Sequence, residues 1–157
     1  MAGVIAPARP GPRLAAPVVA AVVSLLVAWV HLAYVASHMR QWWAYGAFFL
    51  AAGVGQALFA PLVLRRPGPA LAAVGIAGNL AIVGMYVLSR TNGAPLGPHA
   101  NVPERVGAID LATTASEVVL VGLLVTLLTP RARRSVGNIL MAAGAIIWAL
   151  RLTGNLP

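Results

Sequence analysis

Two histidines and two carboxylates stand inside long apolar runs of this 157-residue chain. His31 and His38 share one run; Asp110 and Glu117 share another. Ionisable groups are expensive in such surroundings and by default mark a functional site. Each pair is seven residues apart, or two helical turns. Both members then lie on one helix face, about 10.5 Å apart at 1.5 Å per residue. Tyr34 lies on the stripe between the histidines, and Thr113 and Thr114 lie between the acids. Imidazole facing carboxylate can relay protons, ligate haem or bind a metal. Two ligands about 10.5 Å apart on a straight helix cannot share one ion, because metal–nitrogen bonds are about 2 Å. A mononuclear site must combine one level of the stripe with a nearby loop. His38 and Asp110 with His99 or Glu104 is that set, and its ligand types suit the transition metals Cu, Zn or Fe. His31 and Glu117, the deeper level, are the candidates for holding a cofactor such as haem or for passing protons. Read more plainly, the same pairs are satisfied contacts between two helices.

The elements that carry these groups follow from the hydropathy pattern. The chain is 60% hydrophobic and 9% charged, against about 45–50% and about 25% in soluble domains. A water-soluble globule and a disordered chain are both excluded. The expected fold is an all-α integral membrane bundle of five transmembrane helices, or four if the last run does not span. The spans are placed at 16–39, 43–64, 70–89, 106–129 and 136–152, each near the about 20 apolar residues a bilayer needs. Residues 1–15 read as an irregular Pro/Arg arm, and 16–157 as a single transmembrane domain. The first run is too long for a signal-peptide core of about 7–15 residues. Arg65, Arg66, Pro67, Gly68 and Pro69 make a tight basic turn, and residues 90–105 form the one long loop.

Topology follows from arginine. With five spans, Arg9, Arg13, Arg65, Arg66, Arg131, Arg133 and Arg134 fall on the N-terminal side, and Arg40, Arg90, Arg105 and Arg151 on the other. The positive-inside rule then makes the N-terminus cytoplasmic and the 90–105 loop external. His38 matches Asp110 in depth, and His31 matches Glu117. Two stacked histidine–carboxylate levels result wherever the first and fourth helices touch. Gln56 and Asn79, deep in the second and third spans, read as interhelical hydrogen-bond glue or pore lining, and Tyr34 as packing or pore lining.

Other chemistries are excluded. The net charge of +8 comes from arginines scattered singly or in twos and threes between apolar runs, which form no stripe for nucleic acid. Cysteine is absent, which removes disulfides, thiol catalysis and thiolate metal sites. No GxSxG, HExxH or P-loop motif occurs, which points away from an enzyme.

His31, His38, Trp42, Tyr45, Gly46, Phe48 and Phe49, then SRTNGAPLGP at 89–98, then Glu104, Gly107, Asp110 and Glu117, form a pattern. It resembles small multi-pass membrane proteins of high-GC actinobacteria, a group without an assigned activity. That resemblance implies a bacterial inner (plasma) membrane and nothing about a reaction. The functional expectation is therefore an intramembrane His/carboxylate site in the outer half of the bundle. It would bind a transition metal or haem, or relay protons. The rival readings are a structural or accessory subunit of a larger membrane complex, and a small oligomeric transporter. The partners expected are the lipid bilayer and either a complex or further copies of the chain.

Overall fold

In a computed structural model, the protein is described over residues 12–153 and is helical nearly throughout. The helices are α1 (Pro12–Gln41), α2 (Trp43–Arg65), α3 (Pro69–Thr91), α4 (Ala108–Thr126) and α5 (Pro130–Leu152). The described residues contain no strand, only a single bridge between Ala94 and Ala100. Among them, four helices are long and apolar enough to cross a membrane: Ala15–Gln41, Trp43–Arg65, Pro69–Thr91 and Ala108–Thr126. At 1.5 Å per residue these run from about 28 to about 40 Å, enough for a hydrocarbon core of about 30 Å. The chain is a multi-pass helical membrane protein.

Five spans are expected from the sequence, and four are met among the described residues. α5 belongs to a separate unit, Leu128–Pro157, distinct from Met1–Leu127. It starts at Pro130, six residues before the expected run, and so takes in Arg131, Arg133 and Arg134. Thr129 caps this start by accepting from the Ala132 N–H at 3.2 Å, while Pro130 has no N–H to satisfy. At the other end of the chain, α1 already begins at Pro12, inside the expected 1–15 arm. Proline is tolerated in a first turn, where its missing N–H has no partner in any case. The rest of that arm lies outside the described residues.

Within the first unit, α1 packs along α2 and on α4, and α3 packs on α4; α2 and α3 meet only sparingly. The order around the bundle is therefore α2, α1, α4, α3. Trp42 alone joins α1 to α2. Its extended backbone breaks the helix, its N–H donates to His38 O, and its carbonyl accepts from Tyr45 N–H at 3.1 Å. Gly53 lets α2 approach closely: a Cβ there would lie 3.2 Å from the Ala28 carbonyl. The core mixes small residues, Ala20, Ala21, Ala28, Ala60 and Ala72, with larger ones such as Phe59, Leu120 and Leu124. Trp29, Leu26, Leu58, Val74 and Val119 stay exposed around it. A bundle that leaves so many large apolar side chains outward is built for lipid.

One polar layer crosses this core. The Ser24 hydroxyl lies 2.8 Å from the Gln56 carbonyl oxygen and also meets Gln56 Oε1. Gln56 Nε2 donates to Asn79 Oδ1 at 2.8 Å, and Asn79 Nδ2 donates to Gly75 O at 2.7 Å. The three buried side chains tie α1, α2 and α3 together.

Candidate functional site

The C-terminal half of α1, the start of α2, the end of α3 and the first turns of α4 surround a cavity of about 630 Å³ at one end of the bundle. Its apolar walls include Val30, Phe48, Phe49, Ile82 and Met85. Its polar groups are His31, Tyr34, His38, Arg90, Glu104, Asp110 and Glu117, among others. The chain has three acidic residues in all, and every one of them borders this cavity.

The deep level brings together His31 and Glu117, which are 5% and 1% exposed. The Nδ1 of His31 lies 3.0 Å from Val27 O, one turn back on α1. A carbonyl only accepts, so that nitrogen carries a proton, and in neutral imidazole Nε2 is then an acceptor. Nε2 faces Glu117 Oε1 at 3.6 Å, beyond hydrogen-bond length. Among the described residues, Glu117 Oε1 has no hydrogen-bond partner. One further proton, on the imidazole or on the carboxyl, would make the two a donor–acceptor couple. α1 and α4 thus pack with the two deep groups facing each other, in the register that their matched depths predict.

The outer level is arranged differently. His38 Nδ1 lies 2.9 Å from Tyr34 O, which fixes the same tautomer as in His31. Its ring stacks on Phe49, with centroids 3.7 Å apart and planes at 19°. Phe49 also lies 5.5 Å from the His31 ring, so one aromatic side chain braces both imidazoles. Asp110 does not pair with His38. Its Oδ2 accepts from Arg90 Nη2 at 2.8 Å, and Arg90 Nη1 reaches Glu104 Oε2 and the Ser89 hydroxyl. The guanidinium also sits 4.8 Å from the centre of the Tyr86 ring.

The expected metal set of His38, Asp110, His99 and Glu104 is therefore not gathered. Arginine has taken both carboxylates, and His99 is exposed on the loop, away from the cavity. Among the described residues, no group of three or more His, Asp or Glu side chains could hold a metal ion. Gln56 and Asn79 do not line the cavity, whereas Tyr34 does.

Arg90 is the cavity residue that sequence reasoning missed. It enters the sequence argument only as a topological charge. The available signal was an arginine ending the third apolar run, at the depth where Asp110 begins the fourth. The 92–107 segment is folded over this end of the bundle. Tyr45 OH donates to Leu96 O at 2.8 Å, and Glu104 N–H donates to Ser89 O at 2.9 Å. Gly93 and Gly97 take φ of 86° and 103°, which only glycine adopts without strain.

No protein-family model, curated protein or solved structure matches this chain.

Proposed function

We propose that this multi-pass membrane protein binds a small hydrogen-bonding molecule in the cavity, with His31 and Glu117 as the polar floor and the 92–107 segment as its cover. The observation that carries this reading is the unpartnered Glu117 Oε1, 1% exposed, opposite the His31 Nε2. An unsatisfied buried polar group costs about 1–3 kcal/mol. The Ser24–Gln56–Asn79 layer supports the contrast, because there every amide finds a partner. A pair serving only helix packing would be closed in the same way. A proton held between His31 and Glu117 would be available to the occupant, which makes proton exchange part of the proposed role.

The arginine distribution supports a cytoplasmic N-terminus, so the cavity faces the outer side. The membrane is proposed to be a bacterial plasma membrane, with α5 as a fifth span.

Absence of cysteine makes the test specific. In Met85→Cys, the introduced thiol should react with a small membrane-permeant maleimide, and adding Thr114→Trp should block the reaction by filling the cavity. Native mass spectra of the gently purified wild-type chain should carry a small-molecule adduct that Thr114→Trp removes. An unreactive thiol together with an adduct-free spectrum would overturn the reading.

A further inference from the structure

The charge inventory of the cavity selects the class of its occupant. The chain carries a net charge of +8, yet its whole complement of carboxylates borders this one space. Arg90 engages Glu104 and Asp110. Arg105 also borders the cavity but is exposed, so solvent screens it. Glu117 is the one carboxylate there without an arginine partner, and it is the buried one.

Hydrogen-bond capacity points the same way. The hydroxyl protons of Ser37, Ser89 and Thr113 go to carbonyls of their own helices. Both histidines spend Nδ1 on backbone carbonyls and leave Nε2 as an acceptor. The hydroxyls of Tyr34, Tyr86 and Thr114 and the buried Nε of Arg90 also belong to residues lining the cavity, but at the floor itself Glu117 and His31 Nε2 present acceptors to a ligand with N–H or O–H donors. Around it stand the aromatic rings of Phe49 and Tyr34 and the apolar side chains of Phe48 and Met85. A volume of about 630 Å³ suits a small organic molecule rather than a bare ion.

We propose that the cavity takes an amphipathic monovalent organic amine, its ammonium group on Glu117 and His31 Nε2 and its apolar body against Phe49 and Met85. This rests on the reading of the cavity as a ligand site. A cation beside an ionised Glu117 gives a compensated pair in a medium where a lone charge is costly. A neutral analogue of the same shape lacks that term.

The test uses three probes of one shape: 1-naphthylmethylamine, 1-naphthalenemethanol and 1-naphthoic acid. Each is titrated by equilibrium dialysis against the full chain in phosphatidylcholine nanodiscs, with empty nanodiscs as the blank. The amine should bind about tenfold or more tightly than the alcohol, and the acid more weakly still. Glu117→Gln should remove that tenfold preference. The three probes on the unaltered chain decide the charge preference even if that variant fails to fold. An alcohol or acid that binds as well as the amine would overturn the cation assignment and leave the cavity reading standing. Saturable binding by none of the three would overturn both.

Discussion

Glu117→Leu and Gln56→Leu replace buried polar side chains in the same bundle, and their effects on stability should have opposite signs. Gln56 Nε2 donates to Asn79 Oδ1, so leucine at 56 orphans that oxygen. Ser24 keeps the backbone carbonyl of residue 56 as its acceptor. One new orphan costs about 1–3 kcal/mol. The lower bound is the about 0.6 kcal/mol that membrane interhelical hydrogen bonds average. Glu117 has no such bond to lose. Its Oε1 is already unpartnered, and leucine removes that atom while filling similar space. Relief of the existing penalty should stabilise the fold by about 1 kcal/mol or more, at the expense of function. The assay is equilibrium unfolding of each purified variant by SDS titration in mixed micelles, followed by helicity. Sign is the decisive readout, since absolute values depend on the micelle. Should Glu117→Leu cost as much as Gln56→Leu, the His31–Glu117 level is a packing device and the site argument fails.

Arg90→Met keeps the apolar stem but frees Glu104 and Asp110; it should cost about 1–2 kcal/mol, these carboxylates being roughly two-fifths exposed. Hydrogen exchange should accelerate across 94–104 in that variant, and Arg90→Lys should restore protection only in part, because it cannot bridge two carboxylates as a fork. Gly97→Ala places a Cβ 2.8 Å from Trp42 Cε3 at a φ of 103°, so it should detach the cover at a cost of about 1–3 kcal/mol, seen as a shift in tryptophan emission. In intact cells, Leu96→Cys should react with a membrane-impermeant maleimide from outside; labelling only after lysis would reverse the proposed orientation.

The helices were legible because each apolar run is bounded by residues that stop a helix or meet water: Arg65 to Pro69, Gly93 to Pro98, Thr129 to Pro130. The deep level was legible for a geometric reason. A seven-residue spacing fixes both the face and the depth of a side chain, so His31 and Glu117 could be matched without knowing how the helices were ordered. Facing across 3.6 Å then required only that α1 and α4 be neighbours. The outer level obeys the same spacing, yet Asp110 turned away from His38. Near the end of a helix, depth no longer decides partners, because a flexible arginine from a third element can reach in and bind two carboxylates at once. Arg90 does so, and Phe49 offers His38 a ring to stack on instead. A charge at a span end thus has two meanings in sequence, a topology signal and a counter-ion. Only the adjacency of α3 and α4 separates them. The same adjacency explains why one of three carboxylates is left to meet a ligand. Arg90 can satisfy the two within reach of the loop end, and Glu117 lies two turns deeper on α4 than Asp110, where no arginine follows.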